Sequence, residues 1–194
     1  MSGFLNLETF DVRRIDADQW RLLSPQHWVG TGGDRITLDT GFVTDFATSP
    51  WFTWWLIPKT GKWTVPATFH DQLCDLLNER WRLVQAHLTQ ISREFGHSQR
   101  CVSCRVEAEA LVPPCVFGPV DTDGAFRAMC RDQDVDPIRR WLLWTGVRWG
   151  ALMNPARRAG WWRTAHLVLP ISVAVLAPVV FLLYLVVRGL VALC

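Results

Sequence analysis

The sequence predicts an α+β fold: a small N-terminal antiparallel sheet, then helices, then one C-terminal helix apolar enough to cross a bilayer. Three observations carry this. Short β-type runs alternate with turn signals between Phe10 and Thr44, apolar residues recur at helical spacing from Val65 onward, and no charged side chain falls between Leu167 and Val187.

Taken in order, the extended runs are Phe10 to Ile15, Trp20 to Leu23, Arg35 to Leu38 and Gly41 to Thr44, with Gly30 to Gly33 and Asp34 as a turn. Thr48, Ser49 and Pro50 switch the signal, because a hydroxyl residue followed by proline caps a helix. A short tryptophan-rich helix, Trp51 to Leu56, is expected next. Pro58 to Lys62 reads as a turn. Val65 to Leu77 then carries Ala67, Leu73, Leu76 and Leu77 on one helical face, and Glu79 to Phe95 continues it. Gly96 to Pro119, with its cysteines, prolines and glycines, reads as irregular. Asp121 to Cys130 and Pro137 to Met153 are two more helices, with Asp121 and Asp136 suited to their caps.

The apolar segment, residues 167–187, has the length of a hydrocarbon core and is apolar on every face, with only Ser172 and Tyr184 interrupting from Ile171 on. Pro170 and Pro178 are better tolerated there than in a water-facing helix. Arg157, Arg158 and Arg163 precede the segment and Arg188 follows it. The expected topology is therefore single-pass with the N-terminal domain cytoplasmic, and Trp161, Trp162 and His166 fall at headgroup depth. Residues 1–155 form the soluble α+β domain, 156–166 a basic and aromatic collar, 167–187 the transmembrane helix and 188–194 a short tail.

The chain has 194 residues and a formal charge of +2. That balance is too small to argue for nucleic-acid binding; the basic collar suits anionic lipid. No secretory signal opens the chain, since Glu8, Asp11, Arg13 and Arg14 interrupt its start. Six cysteines facing a reducing cytosol read as buried thiols or metal ligands before disulfides.

Several motifs carry a resemblance. Gly41-Phe42-Val43-Thr44-Asp45-Phe46-Ala47-Thr48-Ser49-Pro50, Gly61-Lys62, Ala67 to His70-Asp71-Gln72-Leu73, Asp123 to Phe126 with Ala128-Met129, and Trp144 to Gly150 follow one another in order. Over most of residues 20 to 150 the chain resembles a phage and prophage family known only as domain of unknown function thirteen-fifty-three. The resemblance implies a phage origin. The chain departs from the family pattern by an insertion, residues 75–120, between the His-Asp pair and the Asp123 motif, and by the C-terminal span.

Asp45, His70, Asp71 and Asp123 are residue types that hold a divalent metal, zinc among them, in a hydrolytic site. The plainer alternative is scaffolding: Asp71 paired with Arg148, Asp45 capping the loop before Ser49, and His70 donating to a backbone carbonyl. His97, Cys101, Cys104 and Cys115 have the composition of a structural zinc site, with Cys74 or His87 as replacement ligands and free thiols or disulfides as the alternative. Cys130 reads as a core thiol and Cys194 as a tail residue open to acylation. Of the 12 tryptophans, Trp51, Trp54 and Trp55 share one helical face and Trp141, Trp144 and Trp149 another, suited to a core or to a bilayer surface.

Three function classes follow. The leading expectation is a phage-encoded membrane protein acting in lysis, superinfection exclusion or contact with the host envelope, with the lipid bilayer and phage or host envelope proteins as partners. The alternatives are a membrane-tethered metal-dependent hydrolase and a virion tail-associated protein.

Overall fold

Extended segments of the first 44 residues pair into two three-stranded sheets, where the turn signals alone suggested one. The computed structural model describes residues 2–5, 9–46, 58, 60–98, 100–115 and 117–193, with backbone only at 180 and 189–193. The expected tryptophan-rich helix and its Thr48-Ser49-Pro50 cap lie outside the described residues. One sheet joins β1 (Gly3–Phe4), β4 (Gln26–Val29) and β5 (Arg35–Leu38), and the other joins β2 (Val12–Arg14), β3 (Trp20–Leu22) and β6 (Val43–Thr44). All pairs are antiparallel, with Trp28 opposite Ile36 and Trp20 opposite Thr44. In the first sheet period-2 alternation sends Trp28, Ile36 and Leu38 to the interior.

The helical spacing from Val65 onward becomes one long helix, α1 (Thr64–Glu94), about 46 Å at 1.5 Å per residue. The stretch expected to be irregular contains α2 (Val102–Ala110). There Ala, Glu and Arg favour a helix between the glycine and proline breakers, and Cys104 and Ala108 pack on Val84, Leu88 and Ile91 of α1. α3 (Pro119–Asp132) begins two residues before the expected start: Gly118 is its cap residue, and Asp121 reaches back to accept the Gly118 N–H at 3.3 Å. α4 (Pro137–Met153) has the expected bounds and cap, with Asp136 accepting the Arg139 N–H at 3.0 Å.

The main core sits where the two sheets meet α1 and α3. Leu22, Trp28, Ile36 and Leu38 pack on Phe69, Leu73, Ala125 and Met129, each buried Leu, Ile, Phe or Met side chain stabilising the fold by about 1.5–3 kcal/mol. A second cluster, Trp63, Ala67, Phe126, Cys130 and Leu143, joins α1, α3 and α4, with Cys130 as the expected core thiol. After α4, Gly160 takes a left-handed φ of 75°, which turns the chain into a 3-10 turn at Trp161–Arg163 and then α5 (Ala165–Leu193). From Ala165 to Arg188 this helix is long and apolar enough to cross a membrane, with mean hydropathy 2.6. Its first two turns nevertheless belong to the domain, because Ala165 and Val168 are buried against Trp144 and Trp161.

Candidate functional site

His70 and Asp71 are neighbours on α1, so their side chains leave the helix about 100° apart and find different partners. Asp71 turns toward β6, where the Thr44 hydroxyl donates to it at 2.8 Å and itself accepts the Phe46 N–H at 2.9 Å. Burial pushes the Asp71 carboxyl up to about 7; the Thr44 bond opposes this, and the Asp45 and Asp75 charges add to it. The Asp45 cap expected from sequence would involve Ser49, outside the described residues.

His70 turns inward to α3. Its Nε2 lies 2.7 Å from Asp123 Oδ1, so it meets a carboxylate and not the backbone carbonyl expected from sequence. Arg148 of α4 donates from Nη1 to Asp123 Oδ2 at 2.7 Å, and Arg157, beyond α4, donates from Nη2 to Asp123 Oδ1 at 2.6 Å. Arg148 therefore pairs with Asp123 and not with Asp71: Asp71 faces away, toward the sheet. Asp123 and Arg148 are completely buried. Burial alone would raise the Asp123 carboxyl, but the His70 hydrogen bond and the two guanidiniums outweigh it and hold it below the ordinary range. Burial lowers the His70 pKa, more than Asp123 raises it. A neutral imidazole that donates from Nε2 to Asp123 leaves Nδ1 as acceptor; the Cys74 thiol, pushed up to about 12 by burial, lies 3.7 Å from both ring nitrogens, and Arg157 Nη2 lies 3.2 Å from Nε2.

The cluster ties four segments together. Arg148 also donates from Nε to Thr164 at 3.0 Å, one residue before α5, and its backbone carbonyl accepts the Trp161 indole N–H at 2.7 Å. Chemically, both Asp123 oxygens are already engaged by cations. A divalent ion between His70 and Asp123 would face the Arg157 guanidinium within hydrogen-bond distance of both, so the arrangement favours charge-paired scaffolding over a hydrolytic metal site.

The second cluster sits in the turn after α1 and on the first turn of α2. His97 Nδ1 lies 3.3 Å from Cys104 Sγ and 3.9 Å from Cys101 Sγ, and all three ligand atoms are within 4.8 Å of one another. A tetrahedral zinc with ordinary bond lengths sets N···S at about 3.6 Å, between the two observed values. Cys101 is the cap residue of α2; the Ser103 hydroxyl at 3.1 Å, the Cys104 N–H and the Cys104 thiol bring its thiol down to about 6. This group can hold a metal ion. Cys115 does not join it: Pro113 and Pro114 carry that residue back to α1, where its thiol points at the Leu76 carbonyl at 3.9 Å. Cys74 is committed to His70, and His87 stands outside the group.

Arg157 is the functional residue that sequence reasoning misplaced. Assigned to the lipid-facing collar, it is buried at the centre of the ion cluster. No local spacing signals this, since its partners are Asp123 and His70, far back in the chain. Arg148 carried a better signal, standing in the Trp144 to Gly150 motif.

A family model described as "Protein of unknown function (DUF1353)" matches residues 20–147. No curated protein and no solved structure matches. The matched span holds Thr44, His70, Asp71 and Asp123, and it stops one residue before Arg148.

Proposed function

The chain belongs to the DUF1353 family, and from that premise we propose that it is a phage-encoded, non-enzymatic membrane protein acting at the host envelope, in lysis or in exclusion of competing phages. The observation that carries this is α5: an 18-residue window within Ala165–Arg188 meets the length and hydropathy of a bilayer span with none of it buried in the domain. Arg158 and Arg163 precede that stretch at the surface and Arg188 follows it, which supports a single pass with the domain on the cytoplasmic side. The phage assignment rests on the ordered motifs from Gly41 to Gly150. The non-enzymatic reading rests on Asp123, both of whose oxygens are engaged by cations, Oδ1 by Arg157 with His70 and Oδ2 by Arg148.

In the same reading His97, Cys101 and Cys104 bind zinc, which staples α2 to α1 where the satellite core of Val84, Leu88, Ile91 and Ala108 is small.

Induced expression in a bacterial host tests the proposal. The full-length chain and a His70→Gln variant should both permeabilise the envelope to a membrane-impermeant dye or block superinfection, and a chain ending at Ser172 should do neither. An effect lost in well-expressed His70→Gln argues for catalysis, an effect kept by the shortened chain overturns the membrane role, and recovery of the chain in purified particles favours a virion part.

A further inference from the structure

We propose that the outer face of α4 rests on the bilayer surface, so that the domain lies against the membrane instead of hanging from it by α5. The inference builds on the reading that α5 spans the membrane.

The first ground is the face itself. Ile138, Trp149 and Met153 are 73%, 40% and 83% exposed, and Gly146 and Gly150 between them are exposed too. Arg139, at the helix start, is paired with the Asp136 cap at 3.6 Å, and no other charge falls on that outer face. An apolar stripe on the outside of a helix whose other side is core marks a surface made to be covered.

The second ground is where α4 crosses α5. The Trp149 indole N–H donates to Ser172 at 2.9 Å, while Ile138 and Trp141, about three turns earlier on α4, share a crevice with Leu167, Ile171 and Val175 of α5. Both ends of α4 thus meet the same few turns of α5, so α4 lies across that helix and not along it. From Val173 to Arg188 α5 runs about 24 Å, and the long Arg188 side chain, reaching outward to the far headgroups, makes up most of the remaining thickness of a hydrocarbon core. The bilayer boundary then falls at the level where α4 meets Ser172.

Charge supplies the third ground and commits the face to an anionic bilayer. No Asp or Glu occurs after Asp136, while Arg139, Arg140, Arg158 and Arg163 stand at or near the surface. Basic side chains beside apolar ones suit phosphate headgroups over an acyl layer.

The test uses the full chain reconstituted into phosphatidylcholine and phosphatidylglycerol vesicles carrying a lipid with a photoreactive diazirine near its headgroup. After irradiation and cleavage at arginine, lipid adducts on the peptide Trp149–Arg157 should exceed those on Leu83–Arg93 of α1 by about tenfold, and should rise with the phosphatidylglycerol fraction. Adducts on α5 without adducts on Trp149–Arg157 overturn the inference and leave the anchor standing. No adducts on either peptide set overturn the anchor as well. Protein-to-protein crosslinks through α4 in place of lipid adducts show that a second copy covers the face, which also overturns it.

Discussion

On the side of α4 and α5 the charges are hidden and pair with one another: Asp123, Arg148, Arg157 and His70 form a buried cluster beneath an apolar face, in which Arg148 Nη2 and Arg157 Nε are left without a hydrogen-bond partner among the described residues. On the side of α2 and the outer half of α1 the helix surface is charged, with Glu79, Arg82, Arg93 and Glu94, and the polar cluster of His97, Cys101 and Cys104 has its ligand atoms turned toward one another. A histidine with acids or thiols nearby is therefore not of itself a metal site. What decides is whether the protein brings its own counter-charges, as two arginines do at Asp123, or leaves donor atoms facing each other at metal-ligand spacing.

Removing Asp123 breaks that comparison most sharply. Asp123→Ala leaves two buried guanidiniums without their carboxylate and should cost about 3–5 kcal/mol in urea unfolding of the detergent-solubilised chain. A loss under about 1 kcal/mol would mean the cluster does not hold the domain to α5.

The Asp71 carboxyl offers a pH probe on the same side. Its folded-state pKa of about 7 lies above the unfolded value of 3.8. Between these values the folded chain holds the extra proton, so this group lowers stability as pH rises from about 4 to 7. The fall should be on the order of a few kcal/mol and should vanish in Asp71→Asn. His70, with its lowered pKa, works in the opposite direction below 6.5 and is common to both proteins, so their difference isolates Asp71.

Metal removal probes the other side. Chelator treatment of zinc-loaded protein should lower stability by about 2–3 kcal/mol at zinc a hundredfold above its dissociation constant, with the change localised to α2 by hydrogen exchange. Cys101→Ser should abolish the chelator effect and Cys115→Ser should leave it intact. The smallest effect is expected from Trp149→Phe, which removes the bond to Ser172 and should cost about 1 kcal/mol.

Much of this architecture was legible in the residues. The bounds of α4 and its Asp136 cap, the continuous helix from Val65 to Phe95 and the apolar run of α5 all follow from periodicity and capping chemistry. Two things did not. Strand β4 was missed because Gln26 and His27 interrupt the apolar alternation; Gln26 is buried, with its amide N–H donating to the Thr9 carbonyl at 3.1 Å and its Oε1 without a partner among the described residues. The ion cluster was half legible: residue types named His70 and Asp123, but the partners Arg148 and Arg157 are set by how α3, α4 and the segment before α5 pack. At the cysteines, spacing found Cys101 and Cys104, and the path of Pro113 and Pro114 removed Cys115.

The account depends most on the apolar part of α5 being in lipid. Membranes from cells expressing the full chain, washed with alkaline carbonate, should retain it in the pellet. Release of the intact chain into the supernatant would contradict both the anchor and the membrane-facing role of α4.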